Sequence, residues 1–467
     1  MGGLAVAARL ARKRHDVTVC ESGAGSGGML GAVSRDGFTF TSGPGAFTLP
    51  AVYRDLFLKT GAALEDCVDL VPVDPTTRCV YDRGDTVLEL PNATRAGAAA
   101  AFDGAFGAGS GADWNRLMDR GAAMWGVMRT AFFEVPSEPA KPRRAAGGLK
   151  DFRTTMPWRT LRPLARAYLR DPRLRAFAER YAVDAGLDPR RAPATVAVLP
   201  YLEQTFGLWT VRGGVHRIAE VLHERCVDLG VKFLPDTEVA DVSTAAGAVD
   251  GVLLAGPGHG AEVSRIDADV VVMDRPREEG GYPSASGVVE LHLALDAAPD
   301  DAGRPYRTLL FPDDPAAEAE ALFATDAKPP ADPTLCLYAP SDAAPEGATA
   351  WTVQVRVPAH GTGRGRVDWD APGVRTSFQD IVLDLLARRG LPVTDRLRWC
   401  ELRTPADLER ATGVPGGAVF ASPVAGGQPN RSPVPGLYSV GASAHPGGGL
   451  IGAGMGAALV AELVGRA

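Results

Sequence analysis

Met1-Gly2-Gly3-Leu4-Ala5-Val6-Ala7-Ala8-Arg9-Leu10-Ala11 opens the chain, and Asp16-Val17-Thr18-Val19-Cys20-Glu21 follows it. The order is glycine turn, Ala-rich helix, β-branched strand, acidic residue. It matches the second half of the dinucleotide-binding fingerprint, G-x-G-x-x-G between a strand and a helix, with a carboxylate about 20 positions on. Gly3 falls at the third glycine, where helix and strand pack closely, and Met1 and Gly2 fall at the two x positions. Glu21 ends the second strand, as a ribose-binding carboxylate should. The first strand and first two glycines of the pattern are absent. This predicts a nucleotide-binding domain without its first strand, as a start placed too late would leave.

Ser22-Gly23-Ala24-Gly25-Ser26-Gly27-Gly28-Met29-Leu30-Gly31 comes next. A Gly-Gly pair just after the ribose acid suits a flavin nucleotide bound in extended form, because bare backbone can approach the cofactor where no Cβ intervenes. Helix, strand, terminal Glu and Gly-Gly in this order favour a nucleotide site over a plain loop.

The remaining numbers describe a globular protein with room for two or three domains: 467 residues, 45% hydrophobic and 22% charged. A net charge of −7 does not favour nucleic-acid binding. Cys20, Cys67, Cys79, Cys226, Cys336 and Cys400 show no C-x-x-C spacing, so neither a zinc site nor a redox pair is indicated; scattered single cysteines suit a reducing cytoplasm. The basic N-terminal helix, with Arg9, Arg12, Lys13 and Arg14, is not followed by a signal-peptide cleavage site. Residues 432–461 lack Asp, Glu, Lys and Arg. Their prolines and the Gly447-Gly448-Gly449 run argue for buried strand, loop and helix over a membrane span.

Asp36-Gly37-Phe38-Thr39-Phe40-Thr41-Ser42-Gly43-Pro44 alternates like a strand and ends in a turn. Residues 93–112 read as a loose helix or mobile loop, and 135–148 as a linker. Residues 157–182 place Leu161, Leu164, Ala165, Tyr168 and Leu169 at helical spacing among arginines, with Pro163 and Pro172 expected to divide the stretch. Such a basic amphipathic stretch suits an anionic membrane surface or, equally, a solvated helix face. Arg212-Gly213-Gly214 precedes a helix from His216 to Leu229, a strand at 230–234, and a hairpin formed by 238–242 and 249–254. The apolar run at 266–273 suits a buried parallel strand.

These segments recur together with Thr404-Pro405-Ala406-Asp407-Leu408-Glu409-Arg410, Asn430-Arg431-Ser432 and the tail Gly436-Leu437-Tyr438-Ser439-Val440-Gly441-Ala442-Ser443-Ala444-His445-Pro446-Gly447-Gly448-Gly449. As a set they resemble the phytoene desaturase family of FAD-dependent carotenoid desaturases, over nearly the whole chain. The resemblance implies an α/β fold: a doubly wound, Rossmann-like FAD-binding domain, here lacking its first strand, a mixed-sheet substrate domain and a helical, membrane-facing region. The domains would be 1–70, 205–280 and 415–467 for FAD, and 71–204 and 281–414 for substrate, with the helical part at about 110–190. It further implies that Gly2 and Gly3 remain from the pyrophosphate turn, Glu21 holds the adenosine ribose, and Gly27 and Gly28 lie along the cofactor. Val239 would meet the adenine end, Gly441 and Ala442 the pyrophosphate or ribityl chain, and Gly43 and Pro44 the cofactor's surroundings. Gly449, Leu450 and Ile451 would sit by the flavin ring at the start of the last helix. Two positions depart from the family. Met29 stands where it usually has a phosphate-pairing Arg, and Thr41 where it usually has Asp.

Desaturation of this kind moves a hydride to the flavin and removes a proton from the neighbouring carbon, with the cofactor carrying the hard chemistry. Arg212 and His445, each beside a glycine-rich turn, are the candidate catalytic groups; no metal site is expected. The expected partners are an apolar polyene, a membrane surface at which a cytoplasmic protein sits peripherally, and oxygen or a quinone as electron acceptor. The same scaffold also admits a polyene saturase or isomerase, or a flavin oxidase of another apolar metabolite. An inactive remnant, poorly soluble and poorly flavinylated, is the reading that follows if the absent central strand abolishes the site.

Overall fold

The computed structural model describes residues 1–137, 148–255, 264–274, 286–419 and 427–467. The expected linker at 135–148 lies mostly outside them. α1 (Gly2–Arg12) is apolar almost all round, with Leu4, Ala5, Val6, Ala7, Ala8 and Leu10 buried. Its small side chains let three helices approach it: Ala51–Thr60, Arg217–Asp228 and Gly449–Val464. These helices and the strands beneath them form one core around Tyr53, Leu56, Phe57, Ile218, Leu222 and Val460. Lys13 fastens the end of α1 to the last helix by donating to the Ala461 carbonyl and to Glu462 at 3.0 Å.

Beneath these helices the parallel strands come in two pairs. β1 (Thr18–Cys20) runs parallel to Lys232–Leu234, with Val19 opposite Phe233. Val271–Met273 runs parallel to Leu437–Ser439, with Val272 opposite Tyr438. Among the described residues no ladder joins the pairs. The run at 266–273 departs from the sequence expectation. It splits into Arg265–Asp267, antiparallel to Ala248–Leu254, and Val271–Met273, whose residues are only half buried. Asp269, inside the apolar run, stands at the break between them.

A seven-stranded mixed sheet forms the second layer, in the order Leu397–Arg403, Ser286–Asp296, Ala348–Pro358, Leu335–Tyr338, Arg307–Leu310, Thr77–Tyr81, Thr86–Leu90. All neighbours are antiparallel except Arg307–Leu310 and Thr77–Tyr81. Side chains alternate across a strand. Val289, Leu291, Leu293 and Leu295 therefore enter one core with Phe378, Val382 and Leu386 of the helix Val374–Arg388. Each fully buried Leu there contributes roughly 1.5–3 kcal/mol. The opposite face carries Glu290, His292 and Ala294, and Ala294 packs on Phe38 and Phe40 of the hairpin Gly31–Arg35/Phe38–Ser42.

A helical region covers the far end of this sheet. Residues 93–112, left open between helix and loop, contain the helix Arg95–Phe106 and the start of Ser110–Met128. Within 157–182 only Pro172 divides the chain, at the first position of Pro172–Asp184. Pro163 sits in the first turn of Leu161–Tyr168, where a missing N–H costs nothing. The apolar stripe Leu161, Leu164, Ala165 and Leu169 points into the helical core with Phe177 and Trp114, so this stretch presents Arg166 and Arg170, and not its leucines, to the surroundings. No described helix is long and apolar enough to cross a membrane.

Candidate functional site

Two of the sequence-predicted glycines meet. Gly2, at the start of α1, lies against Gly441, which follows the strand Leu437–Ser439: a Cβ on Gly2 would come 2.8 Å from the Gly441 Cα and backbone N. Gly441 has φ 87°, so a side chain there would be strained as well as obstructed. The N-terminus of α1 has no acidic residue of its own in the first turn. A helix N-terminus bordered by two side-chain-free backbones is a cradle for a phosphate group.

Glu21 follows β1 directly, pairs through its backbone N–H with the Leu234 carbonyl, and accepts the Gly23 N–H at 2.9 Å. Gly27 and Gly28 have φ 123° and 62°, and the Met29 carbonyl packs against Gly43. Val239 opens the strand paired to Leu254, beyond Glu21. Pro44 and Ala442 are exposed, and Gly449 starts the last helix. The Leu450 carbonyl accepts the buried Tyr53 hydroxyl at 3.0 Å. Ile451 faces the helical core, so this helix joins both cores.

Between the layers lies a cleft whose walls include Thr41, Gly43, Gly45, Gly214, Tyr306 and Gln354. Tyr306 donates to the Gly45 carbonyl at 2.6 Å and shares a hydrogen bond of 2.8 Å with Thr210; burial pushes its phenol up to about 12. His216 and Thr41 share a hydrogen bond of 3.0 Å, and burial pushes the His216 imidazole down. Thr41 thus has a partner where a carboxylate would otherwise face a buried histidine.

Behind the cleft is a polar cluster that the sequence reading missed. Glu290, fully buried, accepts the Gly43 N–H at 2.8 Å, the Ser42 hydroxyl at 3.0 Å and the Gln354 amide at 3.1 Å. Arg403 stands 3.5 Å away and also donates to Ser42. Burial raises the Glu290 carboxyl, and Arg403 and the three donors oppose it. His292, two residues along the strand, stacks on Phe40 with ring centroids 4.8 Å apart. One signal was available. In Val288-Val289-Glu290-Leu291-His292-Leu293 the two polar residues share one face of a strand otherwise made for a core.

Neither candidate catalytic residue lines the cleft. The Arg212 side chain is exposed and pairs with Asp69 at 2.7 Å on the surface. His445 is buried, with Nε2 2.7 Å from the Phe132 carbonyl and 3.0 Å from that of Val135, and its ring edge-on to Phe132. It ties the tail to the residues after the helix Ser110–Met128. Among the described residues no cluster of His, Cys, Asp and Glu could hold a metal ion.

The family model for flavin containing amine oxidoreductase matches residues 1–273, more than half of the chain. The chain belongs to that family. It is an FAD-dependent oxidoreductase, and a helix N-terminus faced by the bare backbones of Gly2 and Gly441 is the kind of donor set a diphosphate uses. The chain is 26% identical to the 4,4'-diapolycopene oxygenase of Methylomonas sp, over 96% of this chain and 93% of that one. It is 25% identical to the 4,4'-diapophytoene desaturase (4,4'-diaponeurosporene-forming) of Staphylococcus haemolyticus strain JCSC1435, again over 96% and 93%. Among solved structures, an oxidoreductase from Methanosarcina mazei aligns over 99% of this chain and 98% of its own with TM-score 0.65 at 17% identity. Putrescine oxidase bound to putrescine aligns over 99% and 96% with TM-score 0.59 at 13% identity. These two likenesses establish the shared fold.

Proposed function

We propose that this flavoenzyme desaturates a long apolar polyene such as phytoene or a shorter relative of it. The observation that carries this reading is the similarity, along 96% of the chain, to proteins named as a polyene desaturase and a polyene oxygenase. FAD, when bound, accepts the hydride. The Gly2–Gly441 cradle and Glu21 would hold its diphosphate and ribose, and the start of the helix Gly449–Val464 would border the ring. The chain's task is then to align the polyene and exclude water. Tyr306, Gln354 and Glu290 fix the Gly43–Gly45 backbone at the cleft, and the helical core offers an apolar wall.

The membrane surface supports delivery of such a substrate. Leu149, Phe152 and Trp158 are exposed on and just after the helix Gly148–Thr155, with Phe152 and Trp158 in ring contact, and Lys150 and Arg153 lie on the same helix. Aromatic side chains flanked by basic ones suit a bilayer interface. Reoxidation of the flavin by oxygen or a quinone belongs to the same proposal.

The test is expression in cells that make phytoene or diapophytoene. New absorption at longer wavelength in the extracted pigment is the expected result. Shortened conjugation in cells fed a longer polyene would favour a saturase, and a changed elution time with no change in conjugated length would favour an isomerase. No change in any polyene, with the protein fully flavinylated, would overturn the reading and leave an oxidase of another apolar metabolite.

A further inference from the structure

Asp274 follows the strand Val271–Met273, and its carboxylate crosses to α1. Its Oδ2 accepts the Gly3 N–H at 2.7 Å. It fills the space between the two facing glycines: a Cβ on Gly2 would come 3.1 Å from Oδ2, and one on Gly441 would overlap Oδ1. About a third of the side chain is exposed, so water can reach it. No side chain from α1 or its flanking residue caps this helix end. A negative group thus stands at the positive end of α1, in the cradle that suits a phosphate.

We propose that Asp274 is an internal stand-in for the cofactor's diphosphate, and that it sets FAD affinity by having to leave before the diphosphate can enter. The inference rests on FAD being the cofactor. Two effects act together. The carboxylate satisfies an N–H that the diphosphate would otherwise use, and its charge repels the incoming anion. Asp274 is therefore an affinity-determining residue that stabilises the flavin-free protein at the cost of the loaded one.

The experiment is equilibrium binding to flavin-stripped protein, read by flavin fluorescence and by calorimetry, with FAD, ADP and riboflavin as probes. Asp274→Asn keeps an oxygen for the Gly3 N–H and removes the charge. It is expected to bind FAD and ADP at least about tenfold tighter, from unit charges a few ångströms apart near a protein surface, and to leave riboflavin, which has no phosphate, unchanged. Asp274→Ala removes the hydrogen bond as well. It is expected to melt earlier without flavin and still to bind FAD tighter than the parent. A residue that only caps α1 gives the opposite sign, with FAD affinity unchanged or weaker in both variants, and that result would overturn the proposal. Equal tightening for riboflavin would overturn it too, since the gain would then not arise at the diphosphate. If neither parent nor variants bind FAD or ADP, the cofactor assignment falls and this proposal with it, an outcome distinct from binding without a difference.

Discussion

His292→Leu should remove a pH dependence of stability that the parent protein carries. The imidazole is fully buried, and neither ring nitrogen has a hydrogen-bond partner among the described residues. Its Nε2 lies 3.9 Å from Glu290, Arg403 stands across the same cluster, and Glu401 is its register neighbour on the next strand. Burial, with a smaller contribution from Arg403, holds its pKa near 3 against 6.5 for a free imidazole. A depressed pKa means that the unfolded chain takes up a proton near pH 6.5 that the folded chain refuses. Stability is therefore complete above that pH and falls as pH drops, by up to about 1.4 kcal/mol per unit. Between pH 7 and pH 5 the single histidine costs about 2 kcal/mol. Leucine has no such proton, so the difference in stability between the two proteins should change by that amount, whatever constant packing offset the substitution brings. Glu290 is raised by burial and so contributes with the opposite sign, losing stability as pH rises above the ordinary glutamate range; it remains in both proteins. The assay is urea unfolding at pH 7, 6 and 5 followed by tryptophan fluorescence, since Trp351 and Trp399 belong to this sheet. Parallel pH curves for the two proteins, or an NMR titration of His292 near 6.5, would refute the reasoning.

Gly441→Ala should lower the flavin-to-protein absorbance ratio of purified protein severalfold, because a side chain is strained at φ 87° and the Gly441 backbone lies directly against Gly2 at the start of α1. Glu290→Gln turns an amide NH2 toward the donors of Ser42, Gly43 or Gln354 and leaves Arg403 without its counter-charge; a loss of about 3–5 kcal/mol is expected, read as a lower thermal midpoint. Leu291→Ala, on the apolar face of the same strand, should cost about 2–5 kcal/mol in urea while leaving flavin content without denaturant unchanged.

The contrast between Glu21 and Glu290 shows where sequence reasoning reached. The place of Glu21 at a strand end was legible because its helix, strand and glycine pair lie within 30 residues and have a fixed order. The partners of Glu290 lie 64 to 248 positions away, so periodicity could mark its face but not its neighbours. Asp274 and Gly3 are 271 residues apart and presented no local pattern at all. The placement of Arg212 was illegible for a related reason. A basic residue before two glycines looks the same whether it enters a cleft or, as here, finds Asp69 on the surface. The run at 266–273 holds the expected parallel strand only at Val271–Met273, because apolar content alone does not reveal a break at a single aspartate.

The two parallel strand pairs have a thermodynamic consequence. Glu21 follows the pair containing β1, and Gly441 follows the pair containing Leu437–Ser439, so an FAD held as proposed above would contact both. Among the described residues the pairs share helices above them but no ladder between them. The cofactor is then a structural tie as much as a reagent. Any opening of one pair from the other must first release it, and mass action makes that opening rarer by the factor 1 + [FAD]/Kd. Cellular survival of this protein, read as resistance to proteolysis, should accordingly follow the supply of flavin.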